Sequence, residues 1–213
     1  MALSKADFNN INVTPAASKK LKWNASANGF ETGDVGGSMV LLSTVTASNA
    51  ATIDFTSGID STYKEYVFNF IDIHPVTDGA LFSFQVDTGT NTSYNQVITS
   101  TFFTSIGSEA GDEGSVSYQT GDDLAQSTSF QRLMDIGNGN DESGCGELIL
   151  FDPSNTTFVK NFISRVQMYE NADRTMDKYI AGYFNITAAI TRVQFKFSSG
   201  NIDSGVIKMY GIV

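Results

Sequence analysis

The side chains best suited to metal chemistry lie in the oxygen-rich stretch "DIGNGNDES", which begins at Asp135. Asp135, Asn138, Asn140 and Asp141 offer carboxylate and amide oxygens, and Ca2+ prefers oxygen ligands. Gly137 stands where a helix-flanked calcium loop places its second ligand, and the sequence predicts no helices around this stretch. Calcium is therefore a candidate cofactor at these four residues, although a flexible acidic turn is the interpretation that we favour.

The chain has one histidine, His74, and one cysteine, Cys145. A zinc site needs several Cys or His ligands, and a thiol nucleophile needs a neighbouring base. The nucleophile motif Gly-x-Ser-x-Gly does not occur in the sequence. Because the residue before a proline is extended, His74 is expected at the end of a strand before Pro75. We predict structural roles for both residues and no enzymatic activity.

Two further groups of side chains are of the kinds that contact carbohydrate. Asp122 and Asp123 are neighbouring carboxylates, but adjacent strand residues point to opposite faces and so do not flank one glycosidic bond. Five aromatic residues are suited to stacking on sugar rings, namely Tyr94, Phe102, Phe103, Tyr118 and Tyr169. Sandwich cores are themselves aromatic, so a place in the core or in a subunit interface is the default. We keep Tyr94 and Tyr118 as candidate receptor contacts.

The charge balance excludes one class of partner. The chain has 13 Lys and Arg against 23 Asp and Glu, a net charge of −10. Nucleic-acid binding needs clustered cations, so no nucleic-acid partner is expected. No stretch approaches the roughly 18 apolar residues of a membrane span, and the N-terminus lacks the apolar core of a secretion signal. We therefore expect synthesis and folding in the cytoplasm, without membrane insertion.

Most of the chain after Met39 has the alternation of half-buried antiparallel strands. Ala80, Phe82, Phe84 and Val86 fall on one side of the segment "ALFSFQVD". Roughly ten such strands, with no sustained helical period, predict an all-β fold of two packed sheets, an antiparallel jelly-roll-like β-sandwich over residues 39–213. The last strand has apolar side chains on both faces, which predicts a strand that is interior to the sheet or has one face against another subunit. We expect it to form a hairpin with the strand "TRVQFKFSS" before it.

Two segments depart from this pattern. Residues 109–142 form an acidic insert of long polar loops around a short apolar run, and loops of that length are often functional or mobile. Residues 1–38 have too few apolar side chains for a core of their own, and we interpret them as an extended arm. Within the arm Leu21 to Trp23 is expected to turn at Asn28-Gly29 toward Phe30 as a short hairpin. A disordered leader is the alternative.

Particular motifs in the arm and in the sandwich resemble parts of known proteins. The stretch "LKWNASANGFE", from Leu21 to Glu31, resembles segments that recur in tail-fibre proteins of tailed bacteriophages, notably marine ones. The stretch "GIDSTYKEYVFNFIDIHPVTDG" and the final "SGVIKMYGIV" resemble strands and turns of a β-sandwich module in phage virion proteins. The acidic insert, residues 109–142, lies outside this likeness.

The resemblance implies a virion structural protein, assembled in the host cytoplasm and without catalytic residues. Its expected role is that of a tail-fibre or appendage subunit that takes part in host attachment, commonly as a homotrimer, with other virion proteins and a host glycan or receptor as partners. We predict that residues 1–38 anchor the subunit to the particle, with Leu21, Trp23 and Phe30 as the apolar contacts. A capsid decoration or head-fibre protein is the first alternative, and a carbohydrate-binding module or carbohydrate-active enzyme is the second.

Overall fold

The computed structural model describes residues 19–26, 29–34 and 38–213. Residues 1–18 of the arm and Asn28 of its expected turn lie outside the described residues. Within the described ranges there is no helix long and apolar enough to cross a membrane. The strands in these ranges are β1 (Lys19–Trp23), β2 (Phe30–Asp34), β3 (Met39–Thr46), β4 (Ile53–Phe55), β5 (Glu65–Pro75), β6 (Ala80–Thr88), β7 (Ile98–Ser108), β8 (Gly114–Tyr118), β9 (Gln131–Ile136), β10 (Gly144–Phe151), β11 (Lys160–Glu170), β12 (Arg174–Phe184), β13 (Ile190–Phe197) and β14 (Ile202–Ile212).

The chain divides into two compact units, Met1–Ser38 and Met39–Val213. In the first unit β1 and β2 form an antiparallel hairpin in which Trp23 lies opposite Phe30 and Lys19 opposite Asp34. The expected hairpin is therefore confirmed. An ion pair of 3.1 Å between Lys22 and Glu31 lies on the face of the hairpin opposite to Trp23.

The second unit is an antiparallel β-sandwich, which confirms the predicted all-β class. One sheet has eight strands in the order β3-β14-β5-β10-β11-β12-β7-β8, and the other has four in the order β4-β13-β6-β9. The described part of this unit thus has more strands than the roughly ten that alternation predicts. Two short strands, β8 and β9, lie within residues 109–142, where long polar loops were expected.

Aromatic rings from both sheets fill the space between them. Phe195 of β13 lies at their centre, with ring centroids 5.5 Å from Phe68, 5.3 Å from Phe70 and 5.8 Å from Phe82. The alternating residues of β6, from Ala80 to Val86, are buried as predicted. Since each strand contributes every second side chain, the alternation of the sequence accounts directly for this layer.

The final strand has a different partner from the one that we expected. β14 pairs with β3 on one side and β5 on the other, whereas β13 pairs with β4 and β6 in the opposite sheet. The predicted hairpin of β13 and β14 is therefore wrong, because the turn after Phe197 takes the chain across the sandwich. The prediction of an interior strand is confirmed, and Ile207 and Met209 are buried in the core.

The acidic segment 109–142 belongs to the sandwich. β8 forms one edge of the eight-stranded sheet, and β9 forms one edge of the four-stranded sheet. Leu133, Met134 and Ile136 of β9 are buried in the common core. The short apolar run in this segment is therefore a core strand, and the polar stretch of residues 119–130 connects the two sheets.

Candidate functional site

The hairpin of the first unit has an apolar face that is open to solvent. Leu21 and Trp23 are two residues apart on β1, and Phe30 lies opposite Trp23, so all three share one face. Their exposed fractions are 46%, 61% and 40%. The rings of Trp23 and Phe30 stack with centroids 4.5 Å apart and an angle of 26° between their planes. The three predicted anchor residues therefore form one continuous apolar surface.

The outer face of the four-stranded sheet is covered by the chain's own loops. Gln85 of β6 is buried there, and its side-chain amide donates to the carbonyl oxygens of Gln96, Thr128 and Ser129 at 2.9, 3.3 and 3.1 Å. These bonds hold residues 96 and 128–129 against the sheet, so the polar side of β6 is enclosed.

Asp87 holds the other part of this cover. Its carboxylate accepts hydrogen bonds from the backbone nitrogen of Tyr94 at 2.8 Å and from the side chain of Gln96 at 2.9 Å. The backbone of Tyr94 has a positive φ of 44°, and its ring is buried. Burial raises the pKa of Tyr94 to about 12, with a further contribution from its hydrogen bond to Asp54. The structure therefore does not present Tyr94 as an accessible receptor contact, because its ring is buried in this cover.

The outer face of the eight-stranded sheet has three exposed aromatic side chains in a line, which we call the aromatic row: Tyr118 of β8, Phe103 of β7 and Tyr179 of β12. The strand register places Phe103 directly opposite both tyrosines. The exposed fractions of Tyr118, Phe103 and Tyr179 are 41%, 43% and 45%. Phe103 and Tyr118 meet edge to face, with ring centroids 5.2 Å apart. Tyr118 is thus accessible to a partner, and Phe103 at the centre of the row has one tyrosine on each side.

Charged side chains surround the aromatic row. The hydroxyl of Tyr118 donates to Asp123 at 2.6 Å, and the hydroxyl of Tyr179 donates to Asp177 at 2.9 Å. Both hydrogen bonds raise the pKa of the tyrosine that donates. The guanidinium of Arg165 lies 5.0 Å from the ring centroid of Tyr179 and also pairs with Asp177. Aromatic faces bordered by carboxylates and a guanidinium are the groups that bind the apolar faces and the hydroxyls of a sugar.

Two of the other aromatic candidates differ from this row. Phe102 is fully buried, because successive strand residues point to opposite faces and Phe103 takes the outer one. Tyr169 donates its hydroxyl to Asp173 at 3.0 Å, and this bond raises the pKa of Tyr169 to about 12. Tyr179 was not among the sequence candidates. The alternation of β12 could have shown that Tyr179 faces outward. Lys178 obscures this alternation, because a lysine occupies a position on the buried side.

The four candidate calcium ligands do not form one set. Asp135 lies on β9, where Arg132 donates to both of its carboxylate oxygens and Lys178 Nζ lies 3.0 Å from Oδ2. The side chain of Asn138 donates to the carbonyl oxygen of Val76 at 3.2 Å. Within the described residues, no group of three or more His, Cys, Asp or Glu side chains is arranged to hold a metal ion.

Asn140 and Asp141 lie beside the single histidine, in an acidic recess of about 360 Å³ that also includes Asp72, Glu142 and Asp203. His74 Nε2 lies 3.1 Å from the carbonyl oxygen of Gly139, so it must donate, and Nδ1 lies 3.6 Å from Asp203 Oδ2. The recess therefore joins the end of β5 to the loop that follows β9.

The remaining sequence candidates have local partners. Asp122 pairs with Arg132, whereas Asp123 accepts from Tyr118, so the two neighbouring carboxylates serve different contacts. Cys145 is half-buried on β10, and burial raises the pKa of its thiol. A raised pKa keeps the thiol protonated and therefore weakly nucleophilic.

Comparison of the chain with protein-family models, with curated proteins and with solved structures finds no match.

Proposed function

We propose that this chain is a structural subunit of a bacteriophage virion that binds through two surfaces and performs no catalysis. The observation that carries the proposal is the apolar face of the hairpin. Leu21, Trp23 and Phe30 are exposed together on a separate two-stranded unit. An isolated two-stranded hairpin is marginally stable in water, and tryptophan is enriched at the centres of protein interfaces. Both arguments favour a protein partner on this face.

We infer that this partner is another protein of the particle, with residues 1–38 as the attachment device. The tail-fibre-like stretch from Leu21 to Glu31 coincides with the hairpin and its apolar face. A tail-fibre or appendage subunit, assembled as a homotrimer in the virion, is the form that the resemblance favours. A capsid decoration protein would use the same two units and is the alternative.

We also propose that the sandwich is a jelly roll with two added hairpins. The strands β3-β14-β5-β10 of one sheet and β4-β13-β6-β9 of the other have the order of two interlocked Greek keys. The pairs β7–β8 and β11–β12 then extend the first sheet beyond β10. Viral capsid and lectin domains use this architecture, and that analogy supports a virion or carbohydrate-binding role without specifying either.

A carbohydrate-binding surface is the second candidate function, and the aromatic row favours it. Its three rings are accessible on an open sheet face, and Asp123, Asp177 and Arg165 offer hydrogen-bonding groups beside them. For a virion subunit, such a surface would contact a glycan of the host cell. The two functions are compatible, since the hairpin and the row belong to different units.

The attachment proposal is tested in phage particles that contain the chain. We expect a variant with Leu21→Ser, Trp23→Ser and Phe30→Ser to be absent from purified particles, because it removes the apolar face. Val116→Ser is a matched control, since Val116 is exposed on the sandwich, and its copy number per particle should equal that of the wild type. Incorporation of the triple variant at the wild-type copy number would overturn the proposal.

A further inference from the structure

Two lysines of the sandwich are fully buried, and their surroundings differ. Lys160 Nζ donates to the carbonyl oxygens of Phe158 and Thr187 at 2.7 and 3.2 Å. Lys178 Nζ instead lies 3.0 Å from the carboxylate of Asp135. A buried lysine that donates to carbonyl oxygens has an ordinary structural role. A buried lysine in contact with a partly buried carboxylate also has a group with which it can react.

The pair of Lys178 and Asp135 connects the two layers of the sandwich. Lys178 projects from β12 of the eight-stranded sheet, and Asp135 from β9 of the four-stranded sheet. Their side chains are 2% and 17% exposed. Nζ also lies 5.5 Å from the ring centroid of Phe102, so the amine sits against a hydrocarbon surface.

The surroundings favour the neutral amine. Burial, together with the nearby guanidinium of Arg132, lowers the pKa of Lys178 to about 7, in spite of the neighbouring carboxylates. Burial therefore makes the loss of a proton from the ammonium easier than in an exposed lysine, and the uncharged amine is the nucleophilic form. Because the fold already holds the amine and the carboxylate together, the reaction does not incur the entropy cost of bringing them together from solution. That cost is a large part of the barrier to such reactions.

We propose that Lys178 and Asp135 form an intramolecular amide bond that ties the two sheets together. Lys178 transfers one proton to the Asp135 carboxylate, the neutral Nζ attacks Cγ, and the nitrogen loses a second proton to the departing hydroxyl. The Cγ–O bond breaks, one water is released and an Nζ–Cγ amide remains. The total charge is unchanged and nothing is oxidised or reduced, so the ion pair itself supplies every atom that the reaction needs.

Arg132 acts on this reaction in two opposite ways. It donates to both oxygens of Asp135, which favours the carboxylate over the acid and so opposes the first proton transfer. The same donors stabilise the negative oxygen that develops when Nζ adds to Cγ. The bond has to form only once in the lifetime of each chain, so a slow reaction suffices. The product is favoured because a neutral amide replaces the charge of a buried lysine, whose desolvation is costly.

The test is the mass of the intact wild-type chain under denaturing conditions. We expect the purified full-length protein, after incubation at neutral pH, to be lighter than its sequence mass by one water. Trypsin should then release residues 133–160 joined to residues 175–192, with Lys178 uncleaved. A wild-type chain at its full sequence mass would overturn the proposal and leave the pair as an ion pair.

Three variants separate this bond from other losses of water. Lys178→Arg and Asp135→Ala should have their full sequence masses, whereas Lys160→Arg, the matched buried lysine, should keep the one-water deficit. Asp78 precedes Gly79, and an Asp-Gly pair also loses water when it forms a succinimide. A deficit that persists in Lys178→Arg would therefore belong to that site and would overturn the proposal. The mass of the wild-type chain decides whether the bond forms. The test therefore remains decisive even if one of the variants fails to fold.

Discussion

The outer faces of the two sheets of the sandwich differ in what covers them. On the four-stranded sheet, the buried side chains of Gln85 and Asp87 hold the chain's own loops in place. On the eight-stranded sheet, Phe103 and Tyr179 are almost half-exposed, and no loop of the described residues is hydrogen-bonded over them in this way. One face is thus closed by polar anchors, and the other presents apolar rings to solvent.

The comparison shows that polarity along a strand does not decide which face is open. The alternation of β6 is that of a strand with one solvent-exposed side. Its polar side is nevertheless buried, because the side chains of Gln85 and Asp87 bind the backbone of the covering loops. β7 and β12 have aromatic residues on the wet side. Burying polar groups requires that each finds a partner, whereas exposing three neighbouring rings is unfavourable unless a ligand or a protein covers them. The open face is therefore the better candidate for binding.

The largest effect on the covered face is expected from Asp87→Ala. This variant leaves the backbone nitrogen of Tyr94 and the amide of Gln96 without their buried acceptor, so the free energy of unfolding should fall by about 3 kcal/mol. Urea denaturation measures the change. Asp87→Asn, which keeps one side-chain oxygen, should lose less than the alanine variant. Equal stability of Asp87→Ala and wild type would show that the cover does not depend on this carboxylate.

A smaller loss is expected from Gln85→Leu, a change of similar volume. The variant removes the donor that holds three carbonyl oxygens at Gln96, Thr128 and Ser129, and we expect the free energy of unfolding to fall by about 2 kcal/mol. Hydrogen exchange should also become faster in residues 124–130, which the amide no longer holds. Unchanged exchange there would contradict the view that Gln85 fastens this loop.

The fold was predictable from local pattern to the extent that each strand buries alternate residues. Phe82, Phe84 and Phe195 are buried as their alternation indicates. The pairing of β14 was not predictable in this way. Neighbours in sequence pair often, which favoured a hairpin with β13, but both strands have an inward apolar face and fit either sheet equally well. Which sheet a strand joins depends on contacts that are distant in sequence.

The candidate site was less predictable, for the same reason. Tyr118, Phe103 and Tyr179 come from three strands, and only the register of the sheet brings them together. The sequence also does not say which of Phe102 and Phe103 faces outward, since the two adjacent rings are equivalent until one of them enters the core. The exposed hairpin residues were easier to recognise, because their short segment has no core in which to bury a tryptophan.

A small effect on stability is expected from Lys196→Met, which tests a cation–π contact at the edge of the covered face. Lys196 Nζ lies 3.9 Å from the ring centroid of Phe130 in the covering loop. Methionine keeps much of the apolar length and removes the charge, so unfolding should become easier by about 0.5 kcal/mol. The double variant with Phe130→Leu measures the coupling, and additive single effects would show that the contact contributes nothing.

The smallest change in stability is expected on the open face, where the change in binding should be the largest. Phe103→Ala with Tyr179→Ala should alter the free energy of unfolding by about 0.5 kcal/mol, as is usual for surface sites. Phe102→Ala, one residue away and buried, should reduce it by about 3 to 5 kcal/mol. Wild type should be retained on immobilised bacterial surface glycans, and the double variant should not. Equal retention of both would remove the aromatic row as the sugar surface, and a loss of stability as large as that of Phe102→Ala would show that these rings belong to the core.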